Sequence, residues 1–149
     1  MKRKTICISS TFSASLDEIW NRLRQLETLR HIAAPFATFE PFDKKALVWE
    51  EGATMDFYLK LFGVFSLGKH SIKVIQFDKH TWTIYTQESN QTVPVWNHRI
   101  KLKRIENEVT HYTDEVEIGA GWKTFFVCGW SALFYRHRQR KWKKLLGKK

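Results

Sequence analysis

The chain has 149 residues, 43% hydrophobic and 15% aromatic, which excludes a disordered segment and gives enough apolar surface for one core without disulfide staples. Its formal net charge is +10, but eight Lys and Arg lie in residues 136–149 and three more are Lys2, Arg3 and Lys4. Without those eleven the body carries about −1, which excludes a domain basic across one whole face and suits solubility or a surface contact with an anionic partner.

The length predicts a single domain over residues 1–149. Cys7 and Cys128 show no CxxC spacing and no nearby His at metal-ligand distance, so they read as reduced, buried thiols of a cytoplasmic protein. No metal or cofactor is expected. MKRKTICISSTFSAS begins with positive charge but lacks the apolar run of a signal peptide. AGWKTFFVCGWSALFY falls short of the roughly 18 residues of a membrane span and contains Lys123.

In chain order, TICISSTFSAS alternates as a strand. Ser15 followed by Glu18 forms a capping box, and Leu16, Ile19, Trp20, Leu23 and Leu26 then recur at helical spacing. Pro35 ends the helical region near Ala34, with room for a second short helical turn before it. From Thr38 to Ile118 the period becomes two, predicting strands near 38–42, 46–51, 53–62, 66–77, 81–89, 94–105 and 109–118. Short polar turns such as FDKH, ESNQTV and IENE fit an antiparallel meander.

Alternation also predicts the inward face. Trp96, His98, Ile100 and Leu102 share one side of their strand, Tyr112, Asp114, Val116 and Ile118 that of the next, and Trp82, Ile84, Thr86 and Glu88 that of the preceding one. Pairing through the turns places His98 between Thr86 and Val116, and Ile100 between Ile84 and Asp114. A final helix follows from Gly121 to Leu146. Its first half is apolar nearly all round, which predicts burial on every side or the wall of a cavity.

The segments WNH (Trp96–His98), THYTDEVEIGAG (Thr110–Gly121), LKLFG ending at Gly63, and FYRHRQRKW (Phe134–Trp142) resemble a bacterial branch of the START/Bet v 1-like superfamily, also called the SRPBCC or polyketide cyclase/dehydrase and lipid-transport group. The resemblance implies an α+β helix-grip fold: a curved antiparallel sheet wrapped around a long C-terminal helix, with short helices after the first strand. It also implies a hydrophobic cavity between sheet and helix for a lipid, quinone or polyketide-like molecule, with cyclisation or hydration catalysed in some members. A fold alone does not assign a function.

Several constellations bear on chemistry. GVFSLGKH (residues 63–70) nearly spells a phosphate loop, but His70 stands where a hydroxyl is needed and a strand follows where a helix should open, so it reads as a hairpin. His98 and Asp114, polar on the inward face, are the candidate general base and its orienter, or a buried pair satisfying each other. Glu88 and His70 are weaker candidates of the same kind, and no activated nucleophile accompanies them. The expected ligand wall is Met55, Phe57, Trp82, Trp96, His98, Tyr112, Phe126, Trp130 and Phe134.

Tyr135, Trp142 and Leu146 fall on one stripe of the final helix, with Phe134 and Leu145 on another, so its basic end reads as the solvated end of a packed helix. Arg136, Arg138, Arg140, Lys141, Lys143 and Lys144 would otherwise form an anionic-surface site for a membrane or RNA. There is no DNA-binding motif and no aromatic-basic interleaving on the sheet for stacking bases.

Overall fold

The computed structural model describes residues 2–43 and 49–147. Strand β1 (Lys4–Phe12) leads into helices α1 (Leu16–Leu23) and α2 (Leu26–Ala33). Strands β2 (Ala37–Pro41), β3 (Thr54–Leu61), β4 (Phe65–Asp78), β5 (Thr83–Ser89), β6 (Val95–Glu106) and β7 (Val109–Gly119) follow. A single 3-10 turn at Gly121–Lys123 then opens the long helix α3 (Thr124–Leu146). The strands form one antiparallel sheet in the order β1-β7-β6-β5-β4-β3-β2. This curved sheet, with its two short helices and long C-terminal helix, is the expected helix-grip architecture.

The helices start and stop for local reasons. Ser15 caps α1, its hydroxyl accepting from the Glu18 amide at 3.1 Å. The reciprocal hydrophobic stripe buries Ile19, Trp20 and Leu23. The helical region divides at Arg24 and Gln25, where Gln25 turns extended, and the Trp49 indole donates to the Leu23 carbonyl at 2.7 Å. That bond satisfies an acceptor which a continuing helix would have used.

The inward register matches the alternation of the sequence. His98 pairs with Thr86 on β5 and Val116 on β7, and Ile100 pairs with Ile84 and Asp114. The nearly spelled phosphate loop is the β3–β4 hairpin, in which Gly63 and Gly68 take positive φ. Of the expected strand 46–51, residues 46–48 lie outside the described residues, and Trp49 to Glu51 are a bend and turn rather than strand.

Helix α3 crosses β1 and β7 and packs against α2. It buries Cys128, Ser131, Phe134, Tyr135, Arg138, Gln139, Trp142 and Leu146, a stripe at spacings of three and four. Of the two expectations for its first half, burial on every side is corrected, since Trp122, Phe125, Phe126 and Leu133 stand off that stripe and are exposed, whereas Trp122 and Phe126 do line an apolar cleft. The sheet presents only one surface to a helix, so residues on its far side meet solvent. Cys128 is buried as expected, its thiol pushed up by burial, but Cys7 points outward from β1; both are free.

Trp142 is fully buried against Phe12 and Tyr112, whereas Trp122 is among the most exposed side chains. Trp142→Ala is expected to lower unfolding free energy by about 3–5 kcal/mol. Trp122→Ala should stay within about 0.5 kcal/mol. Urea unfolding of both variants checks the pair.

Candidate functional site

The inward faces of β4 to β7 and the buried stripe of α3 converge on a cluster of polar groups. His98 Nε2 lies 2.6 Å from Asp114 Oδ1, and Gln139 Nε2 donates to Asp114 Oδ2 at 3.0 Å. Gln139 also donates to the Ile8 carbonyl at 2.7 Å and accepts from the Ser10 hydroxyl at 2.6 Å. Asp114, fully buried, thus joins β6 and β7 to α3, and Gln139 carries the connection on to β1. Because the carboxylate only accepts, the His98 hydrogen belongs on Nε2. Its Nδ1 carries no hydrogen bond among the described residues, and the ring rests 4.8 Å from that of Tyr135.

A second chain runs beside the first. His70 Nε2 lies 2.8 Å from Glu88 Oε1, and the Thr86 hydroxyl donates to Glu88 Oε2 at 2.7 Å. Asn90 Oδ1 accepts the amides of Thr92 and Val93, so its Nδ2 faces His70 Nδ1 at 3.0 Å as a donor. His70 therefore accepts at Nδ1 and donates from Nε2. Burial pushes the Glu88 carboxyl up, but the His70 side chain, the neighbouring His98 and the Thr86 hydroxyl outweigh it and hold it below its ordinary range.

Arg138 completes the cluster. Its Nε has no hydrogen-bond partner among the described residues, and instead of a close ion pair the guanidinium has the Phe134 and Tyr135 rings at 5.7 and 5.1 Å. Burial would ease its proton off, but the Asp114 and Glu88 carboxylates hold the charge on. The Tyr112 and Tyr135 hydroxyls are pushed well above their ordinary range by burial, so both stay neutral. Trp96 Nε1 donates to the Tyr135 hydroxyl at 3.0 Å.

These polar groups floor a cavity. Thr86, Glu88, His98 and Arg138 line its inner end, while Leu29, Phe39, Trp49, Phe57, Ile84 and Ile100 line the rest, with Arg30 at the rim. About 60 Å³ is open to the centre of a water-sized sphere. That holds a few waters and is well below the roughly 300–1,000 Å³ of a drug-sized site.

The structure divides the expected ligand wall. Phe57 and His98 line this cavity. Trp96, Phe126 and Trp130 line a different cleft, between the start of α3 and the β3–β4 hairpin, with about 480 Å³ open to a water-sized sphere. Met55, Tyr112 and Phe134 are packed in the core, and Trp82 stacks edge-on against Trp20; none of the four lines either space.

The basic end of α3 divides too. Arg136, Arg140, Lys143 and Lys144 are exposed and Lys141 is half-buried, but Arg138 turns inward, which corrects its place among the surface cations. Lys148 and Lys149 of the basic run lie outside the described residues. Arg138 falls three residues after Tyr135 and four before Trp142, so the periodicity that marks the buried stripe also marks it. Among the described residues no cluster of His, Cys, Asp and Glu is arranged to hold a metal, and no helix is long and apolar enough to cross a membrane.

Solved structures share this arrangement over nearly the whole chain. A START superfamily protein from Mycobacterium smegmatis superposes with a TM-score of 0.73 at 11% identity, covering 97% of each chain. The fold is that of the START/Bet v 1-like proteins. Norcoclaurine synthase from Thalictrum flavum, in complex with dopamine and hydroxybenzaldehyde, superposes with a TM-score of 0.67 at 15% identity, covering 99% of this chain and 89% of that one. A protein from Chromobacterium violaceum matches at 11% identity and a TM-score of 0.69, over 97% and 99% of the two chains. No protein-family model matches the chain, and no curated protein matches it.

Because Glu88 is held below its unfolded value of 4.5, its charge contributes stability above that value, which is lost as pH falls through the lower folded value. Wild type should therefore lose its advantage over Glu88→Gln as pH drops below about 4.5. Urea unfolding of both proteins across that range tests the sign; a constant difference would contradict it.

Proposed function

We propose that the protein binds a small amphipathic molecule in the inner cavity, with its polar end toward Glu88, His98 and Arg138 and its apolar end toward α2 and β2. The observation carrying this reading is Arg138: a buried guanidinium that lines the cavity with aromatic rings, rather than a close carboxylate, as its neighbours. Buried charges and donors cost stability unless something hydrogen-bonds them, so an oxygen-bearing ligand group is the complement this wall lacks. Glu88, ionised beside it, adds an acceptor for a hydroxyl or amine.

The volume favours a compound of about one ring over a lipid chain or quinone tail. Leu29 and Trp49, both half-buried at the edge, are the side chains whose movement would widen the space. One fold neighbour is described with dopamine and hydroxybenzaldehyde, single-ring compounds of this scale.

A second reading, cyclase- or dehydrase-type catalysis, is favoured by the unpartnered His98 Nδ1 on the same wall. With Nε2 donating to Asp114, Nδ1 holds the lone pair that could take a proton from a bound substrate, and Asp114 would steady the imidazolium formed.

Native mass spectrometry of the protein as purified should show a bound small molecule. Leu29→Trp, which narrows the mouth, should lower its occupancy roughly tenfold without shifting the unfolding midpoint. Protein that carries no such mass and takes up none from a cell extract would contradict the binding reading. Incubating wild type with the extracted molecules should alter their composition by liquid chromatography–mass spectrometry if catalysis occurs. His98→Ala and Asp114→Asn should leave them unaltered; equal change by wild type and both variants would remove these residues from any reaction.

A further inference from the structure

One end of the molecule exposes aromatic side chains from two elements. Trp122, Phe125 and Phe126 project from the start of α3, with Trp122 at 82% exposure, and Phe62, Val64 and Phe65 project from the β3–β4 hairpin. The apolar cleft floored by Trp96 and Trp130 separates the two groups, and Phe36 bridges them, 5.1 Å from Phe62 and 6.4 Å from Trp130. Soluble domains rarely leave an apolar patch of this kind uncovered without an interaction to serve.

The hairpin tip strengthens the case. Phe62 and Gly63 are the central residues of the turn in the three-residue connection, with the Val64 amide bonding the Leu61 carbonyl, and Phe62 holds φ at +54°. Asn or Gly suits that position, and an aromatic residue there is strained. The ring touches Phe36 on one side and is half exposed on the other, so its free side adds to the apolar end of the molecule.

Charge selects the partner. No Asp or Glu occurs in residues 57–70, 89–96 or 118–130, which build most of this end. Lys60 lies just before the tip, Lys123 lines the cleft, and Lys4 sits over the Phe125 ring at 5.5 Å. Lys4 pairs with Ile118 across β1 and β7, so the basic start of the chain also lies at this end. On β7 Glu117 is already bonded to Arg3 and Asn97, so a second copy docking here would bring like charges together with little acid to meet them. An anionic bilayer offers hydrocarbon for the rings and headgroup charge for the lysines.

We propose that this end, the hairpin tip together with the start of α3, is a docking surface for anionic lipid bilayers. The basic end of α3, about 34 Å away along a helix of 23 residues, is not the membrane contact. The surface is separate from the inner cavity and stands without the ligand-binding reading.

Co-sedimentation of the full chain with phosphatidylcholine vesicles containing roughly one-third phosphatidylserine tests it. Wild type should pellet with these vesicles and bind pure phosphatidylcholine more weakly. The double variant Trp122→Ser, Phe126→Ser should lose roughly tenfold in partitioning. Phe62→Asn should weaken it severalfold while leaving the unfolding midpoint unchanged or raised, which separates docking from folding. Neutralising Lys143 and Lys144 should change little. The proposal is overturned if wild type ignores the vesicles, if Phe62→Asn and the double variant bind as wild type does, or if the face instead supports a dimer in sedimentation velocity or RNA binding in a gel shift, without vesicle binding.

Discussion

The buried carboxylate of Asp114 is the constraint on which the rest of the structure depends. A sheet and a helix can pack through apolar contact in many orientations, because hydrophobic burial has no direction. Asp114 accepts from His98 on β6 and Gln139 on α3, and Gln139 in turn grips the Ile8 carbonyl and Ser10 on β1. Four elements are fixed by one connected set of hydrogen bonds. Such a set has value only when complete, since a buried carboxylate deprived of a donor is strongly destabilising.

Completeness stops at the cavity. Asp114, Glu88 and His70 have their partners within the protein, whereas the Arg138 guanidinium on the cavity wall has no close ion pair among the described residues. Unmatched buried donors also occur in the packed core, at Tyr112, Ser131 and Trp142, so what marks the wall is a charged group lining the space. A guanidinium on the cavity wall without a close carboxylate is why the functional reading rests on Arg138 rather than on the aromatic side chains. Aromatic residues are abundant here and mostly do ordinary packing: Trp142 against Phe12 and Tyr112, Trp82 against Trp20.

The sheet was legible in the sequence because strand alternation has a period of two and one face is buried. His98, Ile100 and Asp114 each sit where that pattern puts them, opposite the partners it implies. The site was legible only in part. Alternation tells inward from outward but not core from cavity, so Met55 and Tyr112 look the same in sequence as Phe57. Arg138 was hidden by its neighbours: in a run of cations, charge suggests solvent, while helical phase places it with Tyr135 and Trp142. The start of α3 was misleading in the opposite way. Apolar residues all round predict burial or a cavity wall, but the sheet covers one side alone, and Trp122 and Phe125 are left facing out.

The most direct test of this account is a crystal structure of the protein as purified, without removal of any co-purified small molecule. The account predicts His98 and Gln139 on Asp114 as described, and density for a compact molecule that touches Arg138 and Glu88. A closed cavity in which Arg138 is paired directly with Glu88 or Asp114 would contradict it.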